Sequence, residues 1–176
     1  MLSTPCEISG ERNLKHPSQP RFERFSQHMP ASEDSVLVTL KGHLLVEELL
    51  EELIWLKCRA PEYLKRARLS FAQKAAMAHA LTGTNHETGL VLPDSFWPMI
   101  EALNELRNDL AHRLEGEKRD ERMKKLIGMM AARTGGRKIE GSLAASLRLA
   151  IEGLLGYLAC FEFAVRTGTI PPEIEA

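Results

Sequence analysis

The sequence predicts an all-α protein, an antiparallel helical bundle of about five helices behind an extended N-terminal arm. Three observations predict it. From Val38 onward, apolar residues recur at three- and four-residue steps, which is the spacing of one helix face. No stretch alternates apolar and polar residues over the length of a strand. Connectors rich in Gly, Asn and Thr divide the periodic part into pieces of helix length. Helices with one apolar side each must bury it against one another, and a bundle does so.

Residues 1–34 read as the arm: Pro5, Pro17, Pro20 and Pro30 are scattered among polar residues, and no period survives. Such a segment is free to drape over a partner. Residues 35–170 form the expected helical domain and 171–176 a tail. A first helix is expected at 37–58, with Val46, Leu49, Leu50, Leu53 and Ile54 on its apolar side. Glu47, Glu48, Glu51 and Glu52 supply its wet side. Pro61 can open a short helical turn. Ser70 caps a helix over FAQKAAMAHAL, which ends near Gly83. GTNHETGLVLPD is a loop. Ser95 or Asp94 caps a central helix with Pro98 in its first turn. That helix ends near Leu114, before Gly116. EKRDERMKKLIGMMAA is a further amphipathic helix, and TGGRKIEGS a Gly-rich connector. The GGRK within it lacks the frame of a phosphate-binding Walker loop. SLAASLRLAIEGLLGYLACFEFAVR, from Ser142, is the longest helix and leaves little polar face, so it belongs at the bundle's centre. Trp55 and Trp97 are expected in core or interface packing, and Met123, Met129 and Met130 as gap fillers.

Composition narrows the function classes. A chain of 176 residues with 44% hydrophobic and 27% charged side chains suits one globular domain. A net charge of -1 gives no global steering toward nucleic acid, so any RNA contact must rest on a local patch. Cys6, Cys58 and Cys160 are far apart and form no CxxC pair. Neither a disulfide framework nor a metal site is expected, nor any cofactor, and a reducing cytoplasm is the expected location. No window is apolar for anything near ~18 residues, so no membrane span is expected. The N-terminus lacks the apolar core of a secretory signal.

One stretch departs from an ordinary amphipathic pattern: EALNELRNDLAHRLEG, residues 101–116. At about 100° per residue, Phe96, Leu103, Leu106, Leu110 and Leu114 define one stripe with Ile100 at its edge. Arg107 falls within that stripe's width. An unpaired guanidinium there must snorkel out or find an anion. His112 points about 140° away from Arg107, with Asn104, Asn108 and Glu115 between the two directions. Two readings stand at this point. One is a snorkelling arginine and an exposed histidine. The other is a site.

LRNDLAH resembles the signature of the HEPN superfamily, helical proteins named for nucleotide binding in higher eukaryotes and prokaryotes. In that signature an arginine is followed by a polar residue and, a few positions later, by a histidine. Arg107, Asn108 and His112 match it. KGHLLVEELLEELI, residues 41–54, is similar to the first helix of several bacterial HEPN groups. The resemblance covers roughly residues 37–166. It implies a metal-independent endoribonuclease, in bacterial defence or stress response, working as a homodimer through the helix that carries Arg107 and His112. The paired motifs would share one cleft, with Arg107 and His112 catalytic and Asn108 as orienting neighbour. The chemistry suits those residue types. RNA carries its own nucleophile, the 2′-OH, and imidazole can take its proton and return one to the leaving oxygen near neutral pH. Arginine's planar fork suits a phosphate whose charge grows in the transition state.

Further residues are candidates for substrate binding. Arg113 and Lys118 would make the cleft basic. His43 and Glu47, four residues apart, can pair on the first helix and assist if that helix borders the cleft. In toxin–antitoxin HEPN pairs a tyrosine two residues after the histidine is the antitoxin's target. Leu114 stands there in this chain, which puts that form of control in doubt. Two non-catalytic readings compete: a HEPN-like regulator resembling the mannitol operon repressor family, and an antitoxin or adaptor bundle. Either would act through a protein partner, because no helix-turn-helix signature is found.

Overall fold

A computed structural model describes Glu23, Phe25, residues 27–29, 34–82, 92–112, 116–136 and 141–168, leaving out the side chains of Lys65, Ala111 and His112. Among the described residues there are five α-helices and no strand: α1 (Ser35–Lys57), α2 (Phe71–Thr82), α3 (Phe96–His112), α4 (Gly116–Arg133) and α5 (Leu143–Thr167). A 3-10 helix, Pro61–Arg66, leads from α1 toward α2, with its proline in the first turn as expected. The expected all-α bundle is therefore what forms. The loop read over GTNHETGLVLPD lies mostly outside the described residues, as does most of the 1–34 arm. Within that stretch Phe25 and Met29 are buried in the core, and Met29 N–H donates to Phe25 O at 2.8 Å.

Local chemistry sets the helix ends. Asp34 caps α1, its carboxylate accepting from Val36 N–H at 2.9 Å and Leu37 N–H at 3.3 Å. Ser70 and Gln73 form a capping box ahead of α2: Gln73 Oε1 accepts from Ser70 N–H at 2.8 Å, and Ser70 Oγ accepts from Gln73 N–H at 3.4 Å. Ser142 caps α5, and Gly168, at φ 69°, closes it with a bond to Ala164 O. Ser95 precedes α3, but its hydroxyl accepts from Arg133 Nη1 at 3.0 Å, and the helix opens through backbone bonds to Pro93 O and Asp94 O. Arg133 also lies 4.6 Å over the Phe96 ring, tying the end of α4 to the start of α3.

α5 is the central helix. It packs against α1 and α4 and buries Leu147, Ile151, Leu154, Leu155 and Leu158 completely. α1 answers with Val46, Leu49, Leu50, Leu53 and Ile54. Each such side chain contributes roughly 1.5–3 kcal/mol. Helix approach is closest at Gly42, where a Cβ would meet Ile151 Cγ2 at 2.5 Å. α5 is long and apolar enough to cross a membrane by length and composition alone, a test that the central helix of a bundle also meets. Its mean hydropathy stays high despite Arg148 and Glu152. In the bundle half of its most apolar stretch is buried.

α3 packs against α1, α2 and α4. Three neighbours make its buried arc broader than a single stripe. Met99, Ile100, Ala102, Leu103 and Leu106 are all buried, while Leu110, expected in the stripe, is only half-buried.

Candidate functional site

The site is built where α1 crosses α3. His43, one turn before Glu47 on α1, is buried, with 6% of its surface exposed. Its Nε2–H donates to Asn104 Oδ1 on α3 at 3.2 Å. The amide oxygen can only accept, so the proton of the neutral ring sits on Nε2. The opposite nitrogen, Nδ1, lies 4.0 Å from Glu47 Oε2. The ring stacks on Phe71 of α2 with centroids 4.0 Å apart. Three helices thus meet on one imidazole.

Burial holds the His43 pKa below its ordinary 6.5. The Asn104 hydrogen bond and Glu47 pull the other way, and Arg107 and Lys74 add to the lowering. His43 is therefore neutral near pH 7. A folded pKa below the unfolded value means the native state binds fewer protons. Stability from this group is complete above pH 6.5 and is lost as pH falls through 6.5 toward the folded value. The wild-type urea midpoint is expected to drop between about pH 7.5 and about pH 5.5, and to drop less in His43→Gln. Equal drops in the two proteins would contradict this assignment.

Glu47 is committed elsewhere. Lys74 of α2 pairs with Glu47 Oε1 at 2.5 Å and also with Glu51. Burial works against the Lys74 ammonium, but its bonds to Glu47 and Glu51 prevail and raise its pKa. Glu47 is thus a structural partner of two side chains, not an unoccupied base.

Arg107 is half-buried on α3. Its Nη1 donates to Asn108 Oδ1 at 3.3 Å, and Asn108 is exposed. Among the described residues no carboxylate pairs with Arg107. Two of the three acids of α3 are taken by α4 instead: Arg122 binds Glu105 at 2.5 Å and also Asp109. A partly desolvated guanidinium with no carboxylate partner among the described residues has the chemistry to bind an anion. Lys118 is exposed in the first turn of α4. His112 is the last residue of α3, and only its backbone is described. Arg113 lies outside the described residues.

Of the residues singled out in the sequence, the structure brings His43 to Asn104 and within electrostatic reach of Arg107, and sets Asn108 beside Arg107. Glu47 joins them only through His43 and Lys74. Asn104 and Lys74 are the residues the sequence reading missed as parts of this cluster. Asn104 sits one turn before Asn108 on the same side of the helix, which is the one signal that marked it. Among the described residues no group of His, Cys, Asp and Glu could hold a metal ion. No family model matches the chain, and neither does any curated protein or solved structure.

Proposed function

We propose that this chain is a metal-independent endoribonuclease of the HEPN type, in which Arg107 and His112 from two chains act on one phosphate. The observation that carries the proposal is Arg107: half-buried, oriented by Asn108, and without a carboxylate partner among the described residues. Such a guanidinium suits a phosphodiester, whose two non-bridging oxygens supply the missing charge and accept two parallel hydrogen bonds. Neutral His43, within electrostatic reach of it, adds no competing cation, and as a buried group linking α1, α2 and α3 it fits a positioning role. Cleavage would proceed by attack of the 2′-OH on its own phosphate. His112 would accept the 2′-OH proton as imidazole, and an imidazolium from the second chain would protonate the leaving 5′ oxygen. The products would be a 2′,3′-cyclic phosphate and a 5′-hydroxyl. Arg113 and Lys118 would hold flanking phosphates of the substrate, and a role in defence or stress response follows from the same reading.

The test is cleavage of total RNA and tRNA with EDTA present, by wild type and His112→Ala. Cyclic phosphate ends with the wild type and their loss in the variant are expected. No cleavage by a folded, dimeric wild type would move the reading to a non-catalytic regulator or adaptor that works through a protein partner.

A further inference from the structure

A groove of about 670 Å³ separates α2 from α3, apart from the Arg107 guanidinium. On the α2 side Ala72, Ala76 and Ala80 line it, each exposed and each one turn from the next. On the α3 side Glu101 and Glu105 line it, together with Trp97. Three further observations say what would fill it. First, alanines end at Cβ, so a second helix can bring its side chains close to the α2 backbone. Ala72 to Ala80 covers about 12 Å of helix axis, close to the span of an i, i+4, i+7 set of anchors. Second, among the described residues no lysine or arginine lines the groove. Glu105 is shared with Arg122 and Lys125, but Glu101 has no cationic partner among the described residues. An anionic ligand such as an RNA backbone is repelled there, and a cationic side chain is attracted. Third, Trp97 lines the groove, is 5% exposed, and its indole Nε1–H has no acceptor among the described residues. A buried donor unpaired among those residues is a place where a partner's carbonyl improves the structure.

We infer that this groove docks an amphipathic helix of a protein partner, with apolar side chains over the alanines and a lysine or arginine over Glu101. The inference stands apart from the ribonuclease reading, since Arg107 is not among the described residues that line the groove. It also suggests how a partner would be felt at the candidate site. Asn104 lines the groove and also accepts from His43, so an occupant touches the residue that joins α1 to α3.

The experiment is a selection of displayed helical peptides of about 16 residues against the full-length protein, followed by binding of the best synthetic peptide. Enriched peptides are expected to carry apolar residues at helical spacing and Lys or Arg beside them. Ala76→Arg and Glu101→Lys are each expected to weaken binding at least about tenfold, and replacing the peptide's Lys by Glu is expected to restore binding to Glu101→Lys. Because the charge swap restores binding, loss cannot be mistaken for misfolding. Failure to enrich any peptide, or enrichment of acidic ones, would overturn the inference. So would equal binding to wild type and both variants, which would place the contact on another surface. Binding of a short single-stranded RNA that Ala76→Arg weakens as strongly would assign the groove to nucleic acid and overturn it too. None of these outcomes reads cleavage, so they leave the ribonuclease proposal to its own test.

Discussion

Arg107→Lys is expected to slow RNA cleavage by about 10²–10³-fold while leaving the bundle folded. The magnitude is that of losing one preorganised donor to a developing oxyanion. Lysine keeps the charge but loses the planar fork, so it cannot give the phosphate two parallel hydrogen bonds. It also loses the bond that aligns Arg107 Nη1 with Asn108 Oδ1. The effect should fall on the rate at saturating RNA more than on RNA affinity, because the charge that attracts the substrate is retained. The check is a single-turnover rate with excess enzyme, alongside a thermal melt. A lysine variant that cuts at the wild-type rate would show that Arg107 is an ordinary snorkelling arginine.

Gly42→Ala is expected to destabilise the protein by about 1–3 kcal/mol, although alanine is the better helix former by about 1 kcal/mol. The new methyl would lie 2.5 Å from Ile151 Cγ2 and 3.1 Å from its Cδ1. Ile151 is fully buried and β-branched, so it cannot swing aside. Ile151→Ala alone is expected to cost about 2–5 kcal/mol, through lost burial and the cavity left behind. The two changes compensate, because the methyl added on α1 occupies room vacated on α5. Urea denaturation of the two single variants and the double variant checks this. A double variant less destabilised than the sum of the singles is expected, and strict additivity would contradict the close packing of α1 on α5.

What the sequence made legible follows from what is local. The cap at Ser70 is written next to its helix start, so it could be read directly. The three- and four-residue spacing of Leu49, Leu50, Leu53 and Ile54 marked the buried side of α1 because burial repeats with the helix turn. Contacts between helices were not legible, because nothing in a single sequence fixes how one helix is rotated against another. His43 could be paired with Glu47 on its own helix, yet its hydrogen bond goes to Asn104, 61 residues away. Glu47 in turn is claimed by Lys74 from α2. Trp97 packs in the core as expected, while Trp55 is 38% exposed, since it lies beyond the side of α1 that α5 covers. Arg107, Asn108 and His112 stood out by resemblance to a motif. The geometry adds that Arg107 is half-buried and that its only described hydrogen-bond partner is Asn108.

The most direct test of the central claim compares one RNA with the same sequence fully 2′-O-methylated, both with wild-type protein and EDTA. The account predicts that the unmodified strand is cut to 2′,3′-cyclic phosphate ends and that the methylated strand stays intact, because the nucleophile is the substrate's own hydroxyl. Cleavage of both strands, or of neither by a folded protein, would contradict it.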